Sequence, residues 1–182
     1  MKSPIREFFF WSLLSTWVMV ISLGLGVLMS SPARAEIRQL EEAPGQSVIQ
    51  SRQLLQDQHG NRWQAIAFQR SYPNGQTSFD LRLVGFPGIT NIDHSQPLML
   101  TNSLGANLTA HANDQAIFTD KIHPEPNVGQ YDLQAVFPQM QAEIPLKLSI
   151  PTLQDESVRL SVSPLIIQEW KAVASSELQI KK

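Results

Sequence analysis

Residues 144–173, IPLKLSIPTLQDESVRLSVSPLIIQEWKAV, carry the clearest structural pattern in the chain. Apolar and polar residues alternate along 144–150 and again along 157–163, which is typical of strands that bury one face and expose the other. A polar turn at 154–156 separates the two runs, so the pattern predicts an antiparallel hairpin. Pro145 lies inside the first run and indicates that this strand is at the edge of its sheet.

The same stretch ends in a helical pattern. Ser163 is a residue type that caps helices, and Pro164 suits the first helical position, where the backbone nitrogen needs no partner. Ile166, Trp170 and Val173 then recur at helical spacing. We therefore predict a short C-terminal helix that packs on the sheet, with the indole ring of Trp170 as its anchor.

Upstream, three candidate strands occupy 47–56, 62–70 and 77–86. The Asn-Gly pair at 74–75 tolerates the positive φ angles of a tight hairpin turn. Apolar residues fall on both faces of 62–70, as in a central strand. The three strands together predict an antiparallel meander.

The middle of the chain is less regular. It has short candidate strands at 97–101 and 104–110, whereas 131–137 fits either a helical turn or a strand. We predict a mainly β fold: an antiparallel β-sandwich or a partly open barrel, with a short C-terminal helix packed on the sheet.

Residues 1–35 have the pattern of a cleavable signal peptide. Basic residues precede an uncharged, mostly apolar stretch at 8–29, and Ala-Arg-Ala at 33–35 fits the small residues that signal peptidase requires. An uncleaved anchor is the alternative, because 8–29 is long enough to cross a bilayer. After cleavage we expect an exported protein with no membrane span.

The remaining chain divides into three parts. We predict a flexible lead-in at 36–46, a single β-rich domain at 47–174 and a tail at 175–182. Residues 36–182 carry 11 basic and 15 acidic residues, a net charge of −4. This balance argues against binding to nucleic acid or to anionic lipid. The chain contains no cysteine, which excludes disulfides, thiolate metal sites and a cysteine nucleophile.

Histidines in the irregular middle region are the weak candidates for a metal site. His94, His111 and His123 lie near carboxylates, and imidazole with carboxylate suits zinc or manganese. Their spacings match no metal-ligand motif, and loop histidines are usually solvated. We therefore predict no cofactor and no metal.

A long irregular loop on a rigid sheet is where binding is often found. The aromatic residues of such a loop here, Phe118, Tyr131 and Phe137, together with His123, are our candidates for a ligand or partner surface. No nucleophile elbow, paired catalytic carboxylates or phosphate loop points to a reaction.

Four phrases resemble a known family: QAIAF at 64–68, LRLVGFPG at 81–88, VGQYDL at 128–133 and IQEW at 167–170. They are similar to DUF3122, a cyanobacterial domain of unknown function, over nearly the whole chain after the signal. The resemblance implies a cyanobacterial source, and hence a location in the periplasm or thylakoid lumen. It implies no reaction, ligand or catalytic residue.

Three functions fit these observations. The first is an exported, non-enzymatic accessory or protein-interaction domain whose partner is a membrane-associated protein complex, with 111–142 as its contact surface. The second is a carrier of a small apolar ligand or lipid, with a cavity lined by Trp63, Phe79 and Leu81. The third is a hydrolase or metalloenzyme that uses the loop histidines.

Overall fold

Two antiparallel β-sheets and one α-helix make up the part of the chain that this computed structural model describes, residues 38–43, 45–88, 90–113, 125–154 and 156–176. The predicted signal peptide lies outside these residues, as does the tail from 177 onward. Among the described helical residues, no helix is both long and apolar enough to cross a bilayer.

The first sheet has the strand order β1-β2-β3-β4-β7, and the second has the order β6-β5-β8-β9. A 3₁₀ turn at Phe137–Gln139 follows β7, and the helix α1 spans Pro164–Ala174. The strands are β1 (Arg38–Ala43), β2 (Gln46–Gln56), β3 (Arg62–Ser71), β4 (Thr77–Gly85), β5 (Leu98–Asn102), β6 (Asn107–Ala110), β7 (Val128–Asp132), β8 (Leu146–Ile150) and β9 (Val158–Val162).

The two sheets pack as a sandwich, which confirms the mainly β prediction. One continuous hydrophobic core contains side chains from both sheets and from α1. The predicted meander is β2-β3-β4, and the predicted hairpin is β8-β9. Period-two alternation places Leu81 and Leu83 of β4 in the same core as Leu148 and Leu160 of the sequence-distant β8-β9 hairpin.

Helix α1 covers the inner face of β2 and β3. Trp170 is fully buried, and Glu169 accepts hydrogen bonds from Ser51 Oγ at 3.1 Å and Gln53 Nε2 at 2.6 Å. The first buried residue of the helix is Ile167, not Ile166 as predicted, and Ile166 is only half-buried. Helical spacing allows either isoleucine to share a face with Trp170, so the sequence pattern does not decide which of the two is buried.

The prediction that Pro145 marks an edge strand was wrong. Strand β8 lies between β5 and β9, and Pro145 precedes its first residue, Leu146. A proline just before a strand removes no ladder hydrogen bond, so β8 tolerates it in an interior position.

Within the segment predicted as a flexible lead-in, 36–46, residues Arg38–Ala43 form strand β1, and Gln46 begins β2. Strand β1 pairs with β2 through backbone contacts such as Gln39 with Ile49 and Leu40 with Val48. A polar strand at the edge of a sheet pairs through its backbone alone, so its sequence lacks the apolar alternation that predicts strands.

In the middle of the chain, β5 has the predicted length, shifted by one residue, whereas β6 is shorter than predicted. Strand β6 begins at Asn107 rather than 104, because Gly105 adopts a φ of +85° in the preceding turn. The ambiguous 131–137 is split, since β7 ends at Asp132 and a turn leads into Phe137–Gln139.

Candidate functional site

The first sheet carries a concentration of arginines on the face that points away from the second sheet. Register pairs Arg52 with Ile66 and Ile66 with Arg82, so these three side chains share a face. Ile66 forms a small cluster with Val48 and Phe68 that is separate from the main core. We call this face the outer face; its members include Val48, Arg52, Leu54, Arg62, Ile66, Phe68, Arg70, Asp80, Arg82 and Val84.

The centre of the outer face is built around an aromatic ring. Phe68 is only 3% exposed, and the guanidinium carbons of Arg70 and Arg82 each lie 5.3 Å from the centre of its ring. Such cation–π contacts are stabilising when the groups are partly desolvated. Arg82 also donates to Gln130 Oε1 from Nε at 3.2 Å and from Nη2 at 2.9 Å.

A buried carboxylate lies beside this ring. Asp80 is 1% exposed and is opposite Phe68 in the register. Its Oδ1 accepts a hydrogen bond from Asn113 Nδ2 at 2.9 Å. Its second oxygen, Oδ2, is buried and has no hydrogen-bond partner among the described residues, so the Asn113 amide is the one side-chain partner that this part of the chain gives the carboxylate.

One end of the outer face forms an apolar groove of about 360 Å³. Leu54 and Phe86 line it and are 66% and 52% exposed. Its remaining lining residues are Gln64, Val84, Gly85, Pro87 and Asn127. Neighbouring large apolar side chains left in water are more informative than single ones, since they mark binding surfaces.

Exposed arginines flank this groove on two sides. Arg52 precedes Leu54 by two residues on β2, and Arg62 is opposite Gln56, two residues beyond Leu54. Both arginines are exposed, and neither has an ion-pair partner among the described residues. The apolar row of the groove is therefore bordered by positive charge on either side.

Two hydrogen bonds between Gly85 and Asn127 stabilise the lining of the groove. Gly85 donates its N–H to the carbonyl of Asn127 at 2.9 Å, and Asn127 Nδ2 donates to the Gly85 carbonyl at 2.6 Å. On the inner side, a Cβ at Gly85 would lie 2.9 Å from Cη2 of Trp63. Glycine is therefore required here for close approach of the indole ring.

We expect Gly85→Ala to lower the free energy of unfolding by about 1–3 kcal/mol, because the new methyl group overpacks the core against Trp63. Urea denaturation measures this change. The matched background is Trp63→Phe, which removes the atoms that the methyl group would meet. A double-mutant cycle should show a smaller cost in that background, and an equal cost in both backgrounds would contradict the steric explanation.

A second polar cluster lies in the β2–β3 turn. Asp57 accepts hydrogen bonds from the backbone N–H of His59 at 2.9 Å and of Asn61 at 2.8 Å, and from Trp63 Nε1 at 3.2 Å. With Glu156 and other polar residues it lines a pocket of about 190 Å³. Burial raises the pKa of Asp57, but the hydrogen bonds from Asn61, His59 and Trp63 outweigh this effect and lower it below its ordinary 3.8. A carboxyl held ionised in this way fixes the turn and is poorly suited to act as a general acid.

The free energy of unfolding should decrease as the pH is lowered, because Asp57 and Asp93 both have lowered pKa values. Hydrogen bonds from Ser95 lower the pKa of Asp93. The folded state binds these protons less readily than the unfolded state. Their contribution is therefore complete above the ordinary value of 3.8 and is lost as the pH falls through the lower folded values. Urea titrations from about pH 5 to about pH 3 measure the slope of the free energy of unfolding against pH. Asp57→Asn should make the slope shallower; an unchanged slope would contradict this assignment.

The predicted surface residues lie in different environments. Tyr131 is 1% exposed and belongs to the main core, so the structure does not place it on the surface. Phe137 is half-buried and packs edge-on against Phe79, with ring centres 5.2 Å apart. Phe118 and His123 lie outside the described residues. Whether 111–142 contacts a partner stays a prediction.

The histidines with described positions do not meet in a metal site. His94 is half-buried and His111 is exposed, and no group of three or more potential ligands is found among the residues that the structure describes. His123, the third candidate, lies outside those residues.

Sequence reasoning missed the outer face although two signals were present. Apolar residues fall on both faces of 62–70, and the arginines at 52, 62, 70 and 82 share the parity of Ile66 and Phe68. In a meander, side chains that point to the same face of the sheet are neighbours across strands, and the register decides which residues are paired. The register was the missing information.

Comparison with known protein families gives a match over most of the chain. The profile of a family described as "Protein of unknown function (DUF3122)" matches residues 35–173. Neither the curated proteins nor the solved structures contain a significant match to the chain.

Proposed function

The chain belongs to the DUF3122 family, and from that premise we propose that it is an exported, non-enzymatic protein-interaction domain. The observation that carries this proposal is the outer-face groove, where exposed Leu54 and Phe86 lie beside exposed Arg52 and Arg62. Aromatic residues and arginine are enriched in protein interfaces, whereas scattered surface positions rarely combine them.

The proposed location is the periplasm or thylakoid lumen, and the proposed partner is a membrane-associated protein complex. The signal-peptide pattern of residues 1–35 supports export. The resemblance of the family phrases to cyanobacterial sequences supports the choice of these two compartments.

A carrier of a small apolar ligand has less support. The residues proposed to line its cavity, Trp63, Phe79 and Leu81, are at most 2% exposed and belong to the continuous core. Filled packing around these side chains leaves them in contact with protein rather than with a ligand.

An enzyme also has less support. Within the described residues, the carboxyl groups with a clearly shifted pKa are Asp57 and Asp93, and both are shifted downward. A general acid at neutral pH needs the opposite shift. His94 and His111 remain the candidates for a hydrolase or metalloenzyme, with His123 as the third member of that set.

Native-gel migration tests the interaction proposal. The full chain, with a tag at its C-terminus, is produced in its native host, and gently solubilised cells are compared with the purified protein. We expect the cellular protein to migrate with a larger complex and the purified protein to migrate alone. Migration as a lone monomer in both samples would overturn the proposal.

A further inference from the structure

We infer that the outer-face groove docks an extended, acidic segment of a partner protein, which inserts one large apolar side chain between Leu54 and Phe86. This inference rests on the proposed function of an interaction domain and adds the chemistry of its partner.

The charge distribution selects an acidic partner. Residues 36–182 have a net charge of −4, yet four of their six arginines lie on the outer face of β2–β4, and these strands contain no lysine. The groove is thus a positive region on a negative domain. Complementary charge favours encounter with acidic segments and disfavours neutral or basic ones.

Arginine indicates a protein rather than a membrane. The guanidinium group binds carboxylates in a bidentate manner and is common in protein interfaces. Lipid recognition by charge typically uses clusters of about 4–8 basic residues. Exposed Arg52 and Arg62 are too few for this, and Arg70 is only 7% exposed.

The geometry also indicates how the segment would bind. The groove of about 360 Å³ has room for a side chain of the size of leucine, methionine or phenylalanine. Along an extended chain, residues two positions apart are separated by roughly 6.6 Å and point the same way. Acidic residues two positions before and after the apolar one would therefore reach the flanking rows that hold Arg52 and Arg62.

One polar group at the groove is available to the backbone of such a segment. The half-buried amide of Gln64 lines the groove and has no hydrogen-bond partner among the described residues. An extended segment exposes carbonyl and N–H groups that this amide can bind, which adds orientation to the apolar and charged contacts.

Site-directed photo-crosslinking in the native host tests the inference. A benzophenone amino acid replaces Gln56 in the full chain, because Gln56 is exposed on the outer face, opposite Arg62, and does not line the groove. The control position is Leu104, which is 75% exposed in the turn between β5 and β6 of the other sheet. We expect an adduct at 56 that contains a partner peptide with carboxylates on both sides of an apolar residue, and none of that peptide at 104.

Variants connect the adduct to the groove. Arg52→Glu with Arg62→Glu should lower the adduct yield by about tenfold or more, since reversal removes two attractions and adds two repulsions. Leu54→Ala should lower it as well. Lys147→Glu, which makes the same change of charge at an exposed residue of β8, and Leu104→Ala should leave it unchanged. Thermal unfolding of each purified variant checks that the fold is retained.

The outcomes separate this inference from the proposed function. An adduct at position 56 with lipid, with a second copy of the chain or with a segment lacking acidic residues would overturn the inference. A native-gel complex that persists in the double arginine variant and in Leu54→Ala would also overturn it, while the interaction domain would stand. Absence of any complex for the unmodified protein would overturn both.

Discussion

Trp170→Ala is expected to lower the free energy of unfolding by about 3–5 kcal/mol, as large aromatic truncations in cores do. The Trp170 side chain is fully buried and lies on the face of α1 that also buries Ile167 and Val173. Since single domains are stable by only about 5–15 kcal/mol, this change removes a large share of the total. Urea denaturation monitored by circular dichroism measures this loss of stability.

Two variants on α1 give the controls for this prediction. Leu165→Ala removes an apolar side chain that is 63% exposed, so its cost should stay within about 0.5 kcal/mol. Trp170→Phe keeps most of the ring and removes Nε1, which is buried without an acceptor among the described residues, so it should cost less than about 1.5 kcal/mol. Similar costs for Trp170→Ala and Leu165→Ala would show that α1 does not anchor the fold.

The sequence predicts helix α1 and the β8-β9 hairpin correctly for a physical reason. Both elements bury one face and expose the other, so the period of hydrophobicity in 144–173 reports their structure directly. Strand β1 is held by backbone pairing with β2, and its described side chains, Gln39 and Leu40, are exposed, which leaves no such signal. Pro145 was misinterpreted because its effect depends on whether β8 begins before or after it, and strand ends are set by tertiary contacts.

The candidate site was harder to predict than the fold for a different reason. Its residues are far apart in sequence, with Leu54 on β2, Gln64 on β3 and Phe86 after β4. Only the register brings them together, since Gln64 pairs with both Leu54 and Val84, and Phe86 follows Val84 by two residues. A register shift of one residue would turn every side chain of a strand to the opposite face of the sheet. The sequence predicts binding in the irregular segment 111–142 because long loops often bind ligands, yet Tyr131 within it is a core residue.

Phe68→Ala is the second prediction with a large effect, and we expect it to cost about 3–5 kcal/mol. The ring is 3% exposed, packs with Val48 and Ile66, and lies beneath the guanidinium groups of Arg70 and Arg82. Truncation removes the apolar contacts and both cation–π contacts at once. Urea denaturation measures the loss, and Phe68→Leu, which keeps bulk without the ring, should cost less than the alanine variant.

Leu54→Ala is the matched comparison, because Leu54 lies on the same outer face but is 66% exposed. Its cost in free energy of unfolding should stay within about 0.5 kcal/mol, whereas its effect on partner binding should be large.

If the outer face contributed only to stability, each variant would lose stability in proportion to the size of the side chain removed. Neither variant would then have a specific effect on partner binding. A stable Leu54→Ala protein that has lost its complex, beside a destabilised Phe68→Ala protein, would instead divide the outer face into a structural centre and a binding end. Equal stability of the two variants would contradict the assignment of Phe68 to a buried cluster.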